Sequence, residues 1–310
     1  MTGLPVAVGA VVWGGVVATF AAGKASRLTW IDVLLLFGAL VIVPLAATAA
    51  PWRDRAVEAC VGSALLLVPS LALARGPAAA ALTAPWVVTA AVVAWTALRP
   101  MWGERRGLDA GQVADGAAAG WFVVAAASLP VSRMGWSVLG LEEPIIELTS
   151  VHYTFAGVAT SLIAAMAWRR ASSRAAKHVA TVGVALVVGA PPVVATGFFT
   201  NAALPQVGGA VLLTVGVYAI AFVLLTSVRD RDDDGLAKAL LVVAALSIVA
   251  PMVLAVGWAA AQHMRLRALS IPDMARIHGT MNALGWSLCG LAARTRTKCT
   301  PDRRVFVDSV

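Results

Sequence analysis

The stretch Val87–Trp95, with the sequence VVTAAVVAW, decides the class of fold because it is apolar on every side and carries no charge. It lies in a longer apolar run, 78–98, of about the length that spans the roughly 30 Å hydrocarbon core of a bilayer at 1.5 Å per residue. A transmembrane β-barrel would need short segments that alternate apolar and polar residues instead. The stretch therefore predicts a membrane-spanning helix.

The rest of the chain repeats this pattern. Of its 310 residues, 60% are hydrophobic and 13% are charged, with a mean hydropathy of +0.83. Soluble domains average about 25% charged residues, so a soluble enzyme and a disordered protein are excluded. The predicted fold is all-α, a polytopic transmembrane helical bundle that forms a single domain over residues 1–310. We predict about ten spans, at 4–22, 30–50, 56–74, 78–98, 112–130, 147–168, 178–199, 207–227, 236–262 and 276–293.

The basic residues predict the orientation of the chain in the membrane. Alternate loops divide the 24 Lys and Arg residues unequally, with 17 on one side. Short cytoplasmic loops hold the excess of Lys and Arg, so both termini are predicted to be cytoplasmic in a multi-pass protein of the cell membrane. The net charge of +8 comes without a basic block interleaved with aromatic residues, which argues against nucleic acid as a partner. The expected partner is the lipid bilayer, and the oligomeric state is left open.

Ionisable residues collect on the opposite, non-cytoplasmic side. Such groups are costly near membrane depth, so they usually face a protein interior and mark function. Glu143 and Glu147 are four residues apart and can share one helix face. His278, Asn282 and Gly285 share another face, and an interhelical hydrogen bond that only stabilises packing is an alternative role for this His. The residues of this group are Glu142, Glu143, Glu147, His152, His263, Asp273 and His278.

Two segments carry a resemblance to a known family. Glu147–Gly157, ELTSVHYTFAG, and Ile277–Trp286, IHGTMNALGW, resemble the paired signatures of the YndJ-like bacterial membrane proteins. In size and layout the chain also resembles the small integral-membrane terpene cyclases of the phenalinolactone and indolosesquiterpene pathways. The second resemblance implies an isomerase of bacterial secondary metabolism that acts in terpenoid biosynthesis.

The residues allow the chemistry that this resemblance implies. A cyclase would protonate an epoxide or alkene of a linear, hydrophobic prenyl chain, using a carboxylic acid in a pocket open to lipid. The expected catalytic residues are Glu142, Glu143 and Glu147 as the acid, with His152 or His278 to orient or reprotonate it. The expected substrate-binding residues are Tyr153, Phe155, Trp258, Asp273, Asn282 and Trp286. Neither a cofactor nor a metal is predicted for this reaction.

Other interpretations stay open. His152, His263 and His278 could supply the three ligands of a catalytic metal in a membrane hydrolase or isomerase, although their spacing is not that of a known metal motif. A proton-linked transporter could use Glu147, His152 and a helix kink at Pro191–Pro192. A purely structural role is the remaining alternative. The sequence Asp230–Asp233 matches the Asp-x-Asp-Asp pattern of soluble cyclases, but its cytoplasmic, cation-rich loop favours a solvated charge cluster.

Overall fold

A computed structural model describes residues 3–52, 55–103, 107–230, 233–264 and 266–297. These residues form helices at all ten predicted positions, and no strand occurs among them. The ten helices, in chain order, are α1 Gly3–Ala21, α2 Trp30–Ala49, α3 Ala56–Ala72, α4 Pro77–Trp102, α5 Ala110–Met134, α6 Ile145–Arg170, α7 Arg174–Thr200, α8 Ala203–Asp230, α9 Gly235–His263 and α10 271–296.

Eight of these helices in the described part of the chain are long and apolar enough to cross a membrane. The two others are the 17-residue α3 and α10, of which the second is divided by the π-helical segments Ala275–Gly279 and Met281–Leu288. The predicted polytopic helical bundle is confirmed. Which side of the membrane holds each terminus stays a prediction.

The exposed faces of the helices are apolar, as lipid contact requires. In α1 only 6% of the apolar window is buried, whereas in α2 the figure is 89%, so α2 is a core helix and α1 a peripheral one. Large hydrophobic side chains stand exposed on the outer faces, among them Leu4, Val88, Leu204 and Phe222. In a soluble protein such patches would drive association, whereas in a bilayer they are the favourable surface. The chain is a multi-pass membrane protein.

The helices group into two compact units. Unit 1 comprises Met1–Arg99 with Ala118–Ala159, and unit 2 comprises Pro100–Ala117 with Thr160–Val310. Helices α1 to α3 therefore belong to unit 1 and α7 to α10 to unit 2, while α5 and α6 contribute residues to both. The predicted single domain stays a prediction.

Within unit 1, α2 and α6 pack closely where both become π-helical. The π segments are Gly38–Ile42 in α2 and Tyr153–Ala159 in α6. A Cβ atom at Gly38 would lie 2.8 Å from Cγ2 of Thr154, so the absence of a side chain at this position lets the two helices approach. This contact fixes the register of the two helices. It places the N-terminal turn of α2 beside that of α6.

The two prolines of α7 do not break it. The helix runs as one segment from Arg174 to Thr200 through Pro191 and Pro192, although each proline removes a main-chain donor. The helix is therefore continuous at the two prolines where the sequence suggested a kink. The hydroxyl of Thr196 donates to the carbonyl oxygen of Pro192, which lies one turn earlier in the helix, at 2.9 Å.

Candidate functional site: an ionic cavity

Unit 1 contains a cavity of about 320 Å³ at the N-terminal ends of α2 and α6. We call it the ionic cavity, because five of its eight lining residues are ionisable. Its lining residues are Arg27, Thr29, Asp32, Leu71, Leu73, Arg75, Arg133 and Glu147. By the distribution of Lys and Arg along the chain, this end of the helices is predicted to be non-cytoplasmic.

One arginine connects the two glutamates that the sequence placed on one helix face. Nη2 of Arg75 lies 3.4 Å from Oε2 of Glu143 and 3.4 Å from Oε2 of Glu147. The side chain of Arg75 is 41% exposed, that of Glu143 17% and that of Glu147 6%. The main-chain N–H of Glu147 also donates to Oε2 of Glu143 at 3.4 Å. The two glutamates are thus joined by Arg75 and not by a shared helix face, because Glu143 lies in the turn before α6, which begins at Ile145. The exposed fraction falls from Arg75 inward to Glu147.

The site has another carboxyl group, that of Asp32 in the first turn of α2. Thr29 caps this helix: its N–H and its hydroxyl both donate to Oδ2 of Asp32 at 2.7 Å, and its Oγ1 accepts from the Asp32 N–H. This reciprocal capping box fixes the Asp32 rotamer. Asp32 is buried and lines the ionic cavity together with Glu147, which is also buried. The ionic cavity therefore holds two buried carboxyl groups.

Two of the arginines that line the cavity donate hydrogen bonds to main-chain carbonyl oxygens. Nη2 of Arg133 donates to the carbonyl oxygens of Ser70 and Leu73, at 2.9 and 2.8 Å. Arg133 is only 5% exposed although it carries a full charge. Nη1 of Arg27 donates to the carbonyl oxygen of Ala72 at 3.4 Å. Among the described residues, neither guanidinium forms a salt bridge with a carboxylate.

Several buried polar atoms of this site have no hydrogen-bond partner in the described part of the chain. They are Oε1 of Glu147, Oε1 of Glu143 and Nε of Arg133. Buried polar atoms are nearly always paired, so a group of unpaired acceptors and a donor around one cavity indicates a place for a ligand, a proton or water. A proton shared between Asp32 and Glu147 would supply a donor where two carboxyl groups otherwise offer each other only acceptors.

The other predicted residues of unit 1 lie outside the lining of the ionic cavity. Glu142 is exposed in the loop before α6, and His152 is exposed with its ring edge against Tyr153 at a centroid distance of 5.7 Å. Tyr153 stacks on Trp121 at 5.0 Å. Phe155 is buried against Phe37 of α2, with ring centroids 6.4 Å apart. Two of the four predicted aromatic residues, Tyr153 and Phe155, thus lie deeper along α6 than Glu147, while Trp258 and Trp286 belong to unit 2.

The predicted residues of α10 form a different set of contacts, inside unit 2. Nδ1 of His278 lies 2.7 Å from the carbonyl oxygen of Pro251, and its Nε2 lies 2.9 Å from Nδ2 of Asn282. A carbonyl oxygen only accepts, so Nδ1 carries the proton and Nε2 accepts from the amide. Both ring nitrogens are occupied, which leaves neither to orient an acid at Glu147. This arrangement agrees with the packing role, an interhelical hydrogen bond.

The other residues predicted in unit 2 also have local partners. Nε1 of the buried Trp286 donates to Oγ1 of Thr160 at 3.0 Å, and Nε1 of Trp258 donates to the carbonyl oxygen of Leu269 at 3.0 Å. Asp273 caps the start of α10 together with Ser270. Nε2 of His263 lies 2.7 Å from Oε1 of Gln206. The described residues contain no group of three His, Cys, Asp or Glu side chains placed to hold a metal ion, so the histidines do not form the metal site that their number allowed.

Sequence reasoning missed four of the five ionisable residues that line the ionic cavity. Asp32 lies inside the second predicted span, and its position alone was a signal, because a carboxylate within a span is costly unless it has a role. The three arginines were assigned to loops and counted only for orientation. The spacing of the residues could not bring them together, since they come from distant parts of the chain. They are Arg27, Asp32, Arg75 and Arg133.

The fold and the ionic cavity define a polytopic helical membrane protein with a buried group of ionisable side chains at one end of its helices. The family model of the YndJ-like proteins matches residues 33–286, and the chain belongs to this family. The match includes Glu147, Arg75 and Arg133, and begins one residue after Asp32. No curated protein and no solved structure matches the chain.

Proposed function

We propose that this protein is a terpene cyclase of the cell membrane, and that the Asp32–Glu147 carboxyl pair is its proton donor. The observation that carries the proposal is the pair itself: two buried carboxyls lie together at a cavity, and an oxygen of one of them lacks a donor. A carboxyl pair that holds one proton in a site with little water is a suitable general acid. A prenyl chain dissolved in the bilayer would reach it from the membrane.

The reaction would conserve the atoms of the substrate. The shared proton is transferred to a terminal alkene carbon or epoxide oxygen, and the electron pair of the next double bond attacks the resulting cationic carbon to close a ring. Further double bonds can repeat this step. The last cation then loses a proton to a base, so that the product is an isomer of the substrate and the carboxyl pair regains its proton.

Neighbouring groups would stabilise the pair after it has given up its proton. Two hydrogen bonds from Thr29 hold Oδ2 of Asp32, and Arg75 lies beside Oε2 of Glu147. Charge-assisted hydrogen bonds of this kind favour the ionised carboxylate. Because they are in place before the reaction, they need no reorganisation when the charge appears.

Aromatic side chains lie deeper along the same helices. Phe155 follows Glu147 by eight residues, which corresponds to roughly 12 Å along α6. Its ring faces Phe37, and the Trp121–Tyr153 stack lies at the same level of the helix. Aromatic faces attract cations. A cavity of about 320 Å³ is at the lower end for ligand sites, so we expect it to hold the reacting end of the chain only.

The test is turnover by membranes that contain the protein. Linear prenyl alcohols, with and without a terminal epoxide, are supplied, and a cyclic isomer of unchanged mass is sought by gas chromatography and mass spectrometry. Glu147→Gln and Asp32→Asn should each lower the rate by at least about 100-fold, the usual contribution of a general acid. The matched control is Glu58→Gln, since Glu58 is exposed on α3 and should leave the rate unchanged.

Three outcomes would overturn the proposal. Unchanged turnover in both acid variants would remove the carboxyl pair from the mechanism. Activity that is lost on chelation and restored by zinc would favour metal chemistry. Movement of an unchanged substrate across the membrane, without any isomer, would favour a carrier.

A further inference from the structure

The arginine side of the ionic cavity holds two guanidinium groups that form no salt bridge among the described residues. Arg27 and Arg133 both line the cavity and donate only to main-chain carbonyl oxygens among the described residues. A carbonyl oxygen satisfies an N–H group but brings no negative charge. Both described salt bridges at the cavity are formed by the third arginine, Arg75. Two guanidinium charges therefore face one cavity without a carboxylate partner of their own.

Arg133 is the more informative of the two. It is 5% exposed, and its Nε, also buried, has no hydrogen-bond partner in the described part of the chain. Burial of a cation is costly unless an anion or a full set of acceptors surrounds it. Its two carbonyl contacts hold Nη2 in place and leave Nε for an acceptor. The side chain is thus fixed, charged and incompletely bonded at the wall of a cavity.

From these contacts we propose that the arginine side of the ionic cavity binds a phosphate group, carried by a lipid headgroup or free in solution. Guanidinium groups bind phosphate oxygens through parallel, charge-assisted hydrogen bonds, and a fixed Arg with a vacant Nε suits this geometry. The cavity lies at the ends of the helices, where the phosphates of a bilayer are found. Its volume of about 320 Å³ is ample for a phosphate and its first substituents.

The acidic side chains of the cavity do not prevent this binding. Glu143 and Glu147 are held by Arg75, and the Asp32 carboxylate is covered by its bonds from Thr29. An anion on Arg27 and Arg133 would supply these two guanidinium groups with the direct partner that they lack among the described salt bridges. The inference uses the arginines and not the carboxyl pair, so it stands or falls independently of the proposed cyclisation.

The experiment uses the full-length protein, purified in a non-ionic, phosphate-free detergent. Three probes are compared: dioctanoyl phosphatidic acid, dioctanoylglycerol with the same acyl chains and no phosphate, and inorganic phosphate. Binding is followed by native mass spectrometry and by the shift in the thermal unfolding midpoint. We expect one phosphatidic acid to bind per chain and to raise the midpoint, and dioctanoylglycerol to do neither. A shift with inorganic phosphate alone would identify the free anion as a sufficient ligand.

Substitutions then locate the site. Arg133→Gln and Arg27→Gln should each weaken phosphate binding by about ten-fold or more, the effect of losing a charged hydrogen-bond partner. Arg174→Gln is the matched control, because Arg174 is an exposed arginine at the start of α7. Arg133→Gln also loses contacts to two carbonyls, so Arg27→Gln provides the test if that variant fails to fold.

The proposal is overturned if dioctanoylglycerol binds as tightly as phosphatidic acid. It is also overturned if the folded arginine variants bind phosphate as the unsubstituted protein does. Failure of the cyclase proposal would look different: turnover would be unchanged in Glu147→Gln and Asp32→Asn, while phosphate binding would still be weakened in the arginine variants.

Discussion

Asp115 of α5 holds Arg294 of α10 through a hydrogen bond of 3.0 Å between Oδ1 and Nη2, with both side chains buried. Its other oxygen, Oδ2, accepts from Arg169 of α6. Arg294 also donates to the carbonyl oxygen of Leu162. One aspartate thereby joins three helices of unit 2.

This relationship predicts a large loss of stability on removing the carboxylate. Asp115→Ala leaves the guanidinium groups of Arg169 and Arg294 without their shared anion, which typically costs about 3–5 kcal/mol when a buried ion pair is broken. Thermal unfolding in detergent should show this as a clearly lowered midpoint. The control is Asp234→Asn, whose pairing with Arg296 at 3.6 Å is half-exposed and should contribute little. An equal effect of the two substitutions would contradict the prediction.

A second prediction concerns Gly285, where α10 approaches α9. A Cβ atom at this position would clash with Oγ and Cβ of Ser247, so Gly285→Ala requires the helices to move apart. We expect a destabilisation of about 1–3 kcal/mol, the usual cost of overpacking. The matched control is Gly189→Ala in α7, where a Cβ atom meets nothing within 4 Å. Ser247→Gly should restore part of the stability lost in Gly285→Ala.

A third prediction separates packing from catalysis at His278. His278→Leu removes the hydrogen bond to Pro251 and the acceptor of the Asn282 amide. Hydrogen bonds between membrane helices contribute about 0.6 kcal/mol on average and up to about 1.7, so we expect a modest loss of stability. If His278 acts only in packing, turnover per folded molecule should persist. A complete loss of turnover in a folded His278→Leu variant would show that His278 is needed for the reaction.

The fourth prediction tests the orientation of the chain. In a background without native cysteines, Glu142→Cys should react with a membrane-impermeant thiol reagent added from the non-cytoplasmic side, since Glu142 is exposed in the loop before α6. Arg174→Cys, at the start of α7, should react only after the membrane is permeabilised. The reverse pattern would show that the chain has the opposite orientation.

Much of the fold was predictable because the bilayer imposes a simple rule on sequence. A span must be long and apolar, and runs such as Val87–Trp95 meet this condition without reference to any other part of the chain. The same locality explains the contact between His278 and Asn282, which are four residues apart in α10. It failed for Glu143 and Glu147, because α6 begins at Ile145 and Glu143 precedes the helix.

By itself, the sequence determined a polytopic helical membrane protein and several of its ionisable side chains. Only the tertiary structure decided which of these meet. Asp32, Arg75 and Arg133 come from separate helices or loops, and no periodicity relates them to Glu147. They converge because Gly38 allows α2 to approach α6, and because the carbonyl oxygens of Ser70 and Leu73 hold Arg133 at the cavity. Spans are set by the local free energy of transfer into lipid, whereas a site is set by packing between helices that are distant in the chain.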